Sequence, residues 1–430
     1  MAMNVQSSME LMHEGVAGID FGTSNSSVGR YVDGKAELLE ITDEGRSVPS
    51  AIFYSNESPE PAFGRAAVAQ YTSGLDGRLL RSLKSVLGTG LMNEKTIIRN
   101  RRMAFSSIIQ DYFEYLKAQL DEQCQSDVRQ VVLGRPVRFV DDDDQRDSDA
   151  QSQLQQIAHD TGFEHIEFQL EPIAAALNFE ATLSDEQLVM IVDIGGGTAD
   201  FSVIRLSPDR HRHSDRGADV LGTMGIHIGG TDFDRLLSLQ SVMPALGFKT
   251  GVKNSDRLLP GSVYFDLATW HRIPLLYNPA SLRLVQQMKL DAKQPILVEK
   301  LECLIGDRMG HELARAVETA KISLSDQTTS NILLENGGTR ILDCSVSRLD
   351  MDRAIDEAMM QLSTCVTEGL AQANVSTSQI ASVFYTGGSS SVPCLQSMFE
   401  QMLPTSRHIR GDVFGSVGLG LTIDAARRFA

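Results

Sequence analysis

The stretch Ile191-Val192-Asp193-Ile194-Gly195-Gly196-Gly197-Thr198-Ala199-Asp200-Phe201-Ser202-Val203 decides how this chain folds. An apolar run ends in an acid, a turn of glycines and a hydroxyl residue follows, and a second apolar run leaves. That pattern predicts strand, tight turn, strand. The same plan occurs 173 residues earlier, in Gly18-Ile19-Asp20-Phe21-Gly22-Thr23-Ser24-Asn25-Ser26-Ser27-Val28. An acid at a strand end suits a hydrated divalent cation, and a tip without bulk lets backbone N–H groups close on an anion. Two such hairpins facing one another would grip a nucleoside triphosphate between two lobes. A purely structural hairpin also carries glycine at its tip, but it gives no reason for an Asp before the turn twice over.

At 430 residues the chain holds two or three domains' worth of core. Hydrophobic residues make up 42% and charged residues 22%, an ordinary globular mix. The net charge of -17 repels phosphate backbones and anionic lipid, so nucleic acid and membrane surfaces are poor partners. It does not exclude ATP, because a Mg²⁺ ion and local backbone dipoles offset charge inside a site. The five cysteines (Cys124, Cys303, Cys344, Cys365 and Cys394) show no metal-ligand spacing, and the odd count is unlike a secreted disulfide scaffold. A reducing, cytoplasmic location is the simplest expectation. The segment from Met1 to Gly15 has no apolar core of a leader, and no run approaches the about 20 apolar residues of a membrane span.

The first hairpin continues through Asp33-Gly34 into Ala36–Ile41, so the chain opens as a meander. A helix is predicted over 100–123, where Phe105, Ile108, Ile109, Tyr112, Phe113, Leu116 and Leu120 recur at helical spacing. A strand at Gln130–Leu133 follows. The acidic run Asp141–Asp144 reads as the cap of a second helix ending near Gly162. A strand at Ile166–Leu170 leads into Glu171-Pro172 and a short alanine-rich helix. Residues 207–218 read as a charged, solvated loop, with His211 and His213 in it. Residues 246–300, which hold the only Trp, Trp270, fit no motif. Helices are predicted over 310–324, around Ile355–Leu370, near 394–402 and over 415–428, with a strand at Ser382–Tyr385 before Thr386-Gly387-Gly388. Two motif matches fail. Gly29 to Lys35 imitates a P-loop but lies in the meander and is followed by Ala36. His311-Glu312 begins a helical zinc signature, but Arg315 stands where the second His belongs, so His311 reads as a helix-surface residue. Strands followed by helices in two related halves predict a two-lobed α/β protein.

The arrangement of the two hairpins resembles the actin-like ATPase superfamily, and within it the nucleotide-binding domain of the DnaK-type 70-kDa heat-shock proteins. Ile19 to Ser24 looks like the first phosphate motif of that family, and Asp193 to Asp200 like the second. Arg81-Ser82-Leu83-Lys84-Ser85-Val86-Leu87-Gly88 looks like the segment bearing its catalytic lysine. Glu171-Pro172-Ile173-Ala174-Ala175-Ala176 and Tyr385 to Pro393 resemble its E-P-x-A-A-A segment and adenosine motif. Ile228-Gly229-Gly230-Thr231-Asp232-Phe233-Asp234 adds a weaker match. The likeness spans about residues 16–428, and the joint order of the motifs is more specific than any one of them.

The resemblance implies a duplicated, ribonuclease-H-like fold with a nucleotide cleft. The expected division is a tail over 1–15, lobe I over 16–186 (with a subdomain at about 36–103), lobe II over 187–404 (with a subdomain at about 229–349), and a returning helix over 405–430. It also implies ATP or ADP with Mg²⁺, and a second cation such as K⁺ beside Asp200. Asp20 and Asp193 would hold waters of the Mg²⁺ shell. Gly22, Thr23, Ser24, Asn25, Gly195, Gly196, Gly197 and Thr198 would cradle the phosphates, with Gly229 and Gly230 beside them. Lys84 would stabilise charge near the γ-phosphate, Glu171 would orient water, and Asp193 and Thr198 would share in catalysis. Glu318, Lys321, Ser325, Gly387, Gly388, Ser389 and Asp412 would form the ribose and base pocket.

Two departures stand out. The family has an arginine after the helix lysine and another in the adenosine motif, flanking adenine; here they are Ile322 and Ser391. The sequence also stops where that family's nucleotide domain stops, a pattern similar to the YegD-type group of DnaK-like proteins, so peptide capture is not expected of it. The leading expectation is a slowly hydrolysing, chaperone-related ATP switch read by a protein partner or co-chaperone. A small-molecule kinase of the same superfamily would show turnover stimulated by sugars or acids. An actin-like filament or scaffold would show nucleotide-dependent light scattering. A nucleotide sensor would bind with negligible turnover.

Overall fold

Each of the two Asp-bearing segments forms the central strand of its own sheet. The computed structural model describes residues 15–41, 45–140, 143–210, 213–411 and 415–429. Asp141, Asp142, His211 and Asp412, singled out above, lie outside the described residues. The strands Val16–Phe21 and Gln187–Ile194 are buried almost throughout, as near-continuous apolar runs require. Val16–Phe21 pairs in parallel with Gln130–Arg135, which pairs in parallel with His165–Leu170. On its other side lie antiparallel Asn25–Val32 and Lys35–Leu38. Gln187–Ile194 repeats the plan: parallel Ile380–Thr386 and Arg407–Arg410 on one side, antiparallel Ala199–Leu206 and Val220–Ile226 on the other. Two sheets of one plan, flanked by helices, make the expected two-lobed actin-like α/β architecture.

Local chemistry explains the elements. Asp33 and Gly34 both take positive φ, 51° and 77°, as a hairpin turn matching strand twist demands. The failed P-loop match is therefore strand and turn. The helix Phe105–Cys124 buries the apolar stripe read from the sequence. Asp143 caps the helix Asp144–Asp160, accepting a hydrogen bond of 3.0 Å from Arg146 N.

The structure departs from expectation at several places. The expected helix over 100–123 starts only at Phe105, because Arg101–Ala104 is a strand paired with Lys95–Ile98. Val220–Ile226, Arg407–Arg410 and the hairpin of Thr329–Asn336 with Thr339–Ser347 are strands that the sequence did not mark. A three-stranded sheet of Ala51–Ser55, Ala62–Phe63 and Gly77–Arg81, with the helix Gly64–Thr72, fills a region read without elements. Residues 246–300 are mostly helical, in Ser262–Ala268, Pro279–Asp291 and Pro295–Gly306. The 207–218 loop is not merely solvated. Arg216 is buried, donates to Glu180 at 2.7 and 2.9 Å, and pairs with Asp219. His311 is not a surface residue; it is 5% exposed. Among the described residues, no helix is long and apolar enough to cross a membrane.

Each lobe has its own apolar core, and a third core joins them. Val16 and Val132 of one sheet meet Ile191 and Phe384 of the other there. Two crossing helices, Glu171–Glu180 and Ser416–Arg428, fill the joint. They approach so closely that a Cβ at Gly420 would lie 1.9 Å from the Ala174 carbonyl oxygen. Gly420→Ala should therefore cost about 3 kcal/mol in urea unfolding, the upper end of overpacking effects. Gly306→Ala, where an added Cβ meets nothing within 4 Å, should stay within about 0.5 kcal/mol of the parent.

Candidate functional site

Register places the two acids alike. Asp20 is paired with Ser27 across its hairpin, and Asp193 with Asp200 across the other. The glycine turns then face each other: a Cβ at Gly196 would lie 2.4 Å from the Ser24 hydroxyl oxygen. Ser50 braces the first turn, its hydroxyl donating to the Gly22 carbonyl at 2.7 Å and its N–H to the Ser24 carbonyl at 2.9 Å. The second turn is closed by Gly195 N–H donating to the Thr198 carbonyl at 3.0 Å. The segment at Gly229-Gly230 lies directly on it, with Gly230 N–H donating to the Gly195 carbonyl at 3.0 Å and Thr231 N–H to the Gly196 carbonyl at 2.8 Å. Asn25 is exposed and Thr23 half-buried at the first tip.

Lys84 reaches the cleft from a short 3₁₀ turn, Leu83–Val86, and meets Glu171 at the start of its helix at 2.5 Å. Both side chains are largely buried, 10% and 15% exposed. Three carboxylates, Asp20, Glu171 and Asp193, act on one another around Lys84, and exposed Asp200 acts on Asp193. Burial first, then Glu171, push Asp20 up to about 7, against the pull of Lys84. Burial, then Asp200, Glu171 and Asp20, push Asp193 up to about 8. Burial opposes the charge on Lys84, but Glu171, Asp20 and Asp193 outweigh it and hold the ammonium above the ordinary lysine range. Carboxyls that resist ionising together, with one cation among them, form a donor set suited to a further divalent cation. Among the described residues no three His, Cys, Asp or Glu side chains gather as a set of metal ligands.

The adenosine-side residues come together as a second group. Lys321 is buried and donates to Asp234 at 2.9 Å and to the Gly230 carbonyl at 3.2 Å. Asp234 is the residue the sequence reading passed over. Burial pushes it up to about 6 in spite of Lys321. Its only signal was its place at the end of the weakest motif. Glu318 and Ser325 flank Lys321 on the same helix, exposed and half-buried. Gly387, at φ 77°, comes so near Asp193 that a Cβ would lie 2.4 Å from Oδ1. Gly388 and Ser389 open the next 3₁₀ turn, where the Ser389 hydroxyl donates to the Gly195 carbonyl at 3.1 Å. Gly197 is open to the cleft side and Thr198 half-buried. The Lys84–Glu171 pair should already be formed without ligand. A double-mutant cycle of Lys84→Met and Glu171→Gln in urea unfolding should give a coupling of about 1–2 kcal/mol. Additive effects would mean that the pair is open in solution.

A family model described as Hsp70 protein matches residues 16–254 and 298–422. The chaperone protein DnaK of Metamycoplasma hominis is 24% identical over 419 residues, which cover 95% of this chain and 58% of that protein. The chaperone protein DnaK of Mycoplasma mobile is 24% identical over 398 residues, covering 91% of this chain and 54% of that protein. This chain spans a little over half the length of these relatives. The family match takes in both glycine hairpins, the Lys84 turn, the Glu171 helix and the adenosine-side helix, and on that match the chain belongs to the Hsp70 protein family.

Proposed function

We propose that the cleft takes ATP with a hydrated Mg²⁺ ion, and that the chain works as a DnaK-like, chaperone-related switch whose lobes respond to slow hydrolysis. One observation carries the reading: a single lysine, Lys84, stands among carboxylates at the meeting of two glycine turns. Backbone N–H groups at Thr23, Ser24, Gly196 and Gly197 are free of bulk and suited to the β- and γ-phosphates. When bound, Mg²⁺ would neutralise phosphate charge beside Asp20 and Asp193. Lys84 would stabilise charge on the γ-phosphoryl oxygens, and Glu171, at its side, would orient the attacking water. Contacts made by one nucleotide to both hairpins would favour closed lobes, because a ligand shifts a two-state equilibrium by its differential contacts. A protein partner would read that closure. In this reading lobe I runs over about 16–186 and lobe II over about 187–404, with the last helix returning to lobe I, as the two sheets and the joint core support.

The tests follow the roles. Asp193→Asn should weaken binding of Mg·ATP far more than binding of metal-free ATP in calorimetry. Lys84→Ala should retain binding but lower turnover by about 10², the scale of losing one electrostatic stabiliser. Unchanged turnover would remove the lysine from the mechanism. On the base side, Ile322 is 61% exposed and Ser391 half-buried, at the two positions where the resemblance implies flanking arginines. Each stacked guanidinium is worth about 0.5–2 kcal/mol. Ile322→Arg with Ser391→Arg should therefore tighten ATP binding about tenfold or more. No gain would mean that another group already covers the base.

A further inference from the structure

Beside the cleft, an aromatic cluster is assembled from both lobes. Tyr71, on the Gly64–Thr72 helix of lobe I, meets His311 edge-on with ring centroids 4.9 Å apart. His311 starts the lobe II helix that also carries Glu318 and Lys321. Trp270 packs edge-on against the same imidazole at 4.6 Å, and Tyr277 lies at 6.4 Å. Arg81, three residues before Lys84, sits over the Trp270 ring at 5.3 Å and is attracted by Glu318. Tyr71–His311 and Arg81–Trp270 thus cross from one lobe to the other. Trp270 lies within 255–297, the stretch that the family model leaves unmatched.

We propose that the cluster is a proton-gated latch: neutral His311 ties the lobes together, and protonation releases them. His311 is 5% exposed, and its Nε2 is buried with no hydrogen-bond partner among the described residues. A neutral imidazole packs there as an aromatic ring. A protonated one would bury an unpaired N–H close to the Arg81 guanidinium. The other groups around it do not compensate. Tyr71 and Tyr277 are held above the ordinary tyrosine range by burial and stay neutral. Arg308 lies behind Tyr277, at 5.9 Å from its ring. Glu318 acts on Arg81.

The sign follows from linkage. Burial holds His311 down to about 4; a hydrogen bond to the Trp270 backbone works against this, and Arg81 adds to it. Freed from Tyr71, the ring would return towards the ordinary value of about 6.5. A group depressed in the closed state supports closure fully above about pH 6.5 and loses that support as pH falls towards 4. The ratio of open to closed lobes should rise about tenfold between pH 7.5 and 5.5.

The latch itself needs no nucleotide; only its effect on release rests on the proposed function. The deciding measurement is therefore an NMR titration of the histidine ring protons in nucleotide-free protein, with His311→Phe identifying the signal. The expected result is a His311 pKa below 5 in the parent, rising towards 6.5 in Tyr71→Ala. An ordinary value in the parent overturns the latch, because the ring is then not enclosed. So does an equally depressed value in Tyr71→Ala, because lobe II alone then buries the ring. The second arm is the release rate of a fluorescent ADP, followed by displacement. It should rise about tenfold from pH 7.5 to 5.5 in the parent but not in His311→Phe, which retains the ring packing without the titration. That comparison matters because Asp234, pushed up to about 6, and Asp20, pushed up to about 7, lie in the same window and are still present in His311→Phe, so only the part of the response lost in that variant reads the latch. An identical pH response in His311→Phe overturns the gating. Failure of the ADP to bind at all would count against the nucleotide reading, while the NMR arm would still decide the latch.

Discussion

Asp20, Glu171 and Asp193 share one lysine at the meeting of the lobes, with exposed Asp200 acting on Asp193, and this imbalance of charge governs the molecule. Carboxylates brought together away from water resist ionising, and Asp20 and Asp193 are pushed to about 7 and about 8 for that reason. Lys84 relieves part of the strain through its contact with Glu171. On the proposed reading, a bound cation would relieve the rest. A cleft built this way favours its closed form more strongly when further positive charge enters, which would make closure responsive to what is bound.

The remaining architecture serves to hold those groups in place. The two sheets put their acids at matching strand ends because they share one strand plan. The joint core, with Gly420 against Ala174, fixes the Glu171 helix beneath both hairpins. Behind it, the buried Arg216 binds Glu180 at the far end of the same helix, so a charged segment of lobe II is anchored on the joint. Across the cleft, Tyr71 and Arg81 reach His311 and Trp270. The lobes are thus tied below by packed apolar surface and above by a small polar-aromatic contact. The lower tie is the more extensive, so opening is expected to pivot there.

Much of the site was legible before any coordinates. An Asp followed by glycines and a hydroxyl residue is dictated by local turn chemistry, and local chemistry survives in one dimension. The same holds for the Asp33-Gly34 turn and for the stripe from Ile108 to Leu120. The partner of Lys321 was not legible, because Asp234 lies 87 residues away and only the fold brings the two together. The helices within 262–306 carry no motif to frame them, so even the buried repeat Val298, Leu301, Leu304 and Ile305 did not stand out. The loop at 207–218 looked solvated because charge usually means solvent, whereas Arg216 is buried against two acids.

His311 marks the boundary most clearly. On its own helix it stands beside exposed Glu312, and the failed zinc signature left it read as a surface residue. Its burial comes from Tyr71, 240 positions earlier, and from Trp270 in a stretch that fits no motif. The sequence by itself determined the two hairpins and the strands that flank the first of them, because these rest on turn chemistry and hydrophobic period. Tertiary structure alone decided which charges neutralise one another and which rings meet across the cleft. Those depend on distances between segments far apart in the chain, and no local pattern carries that information.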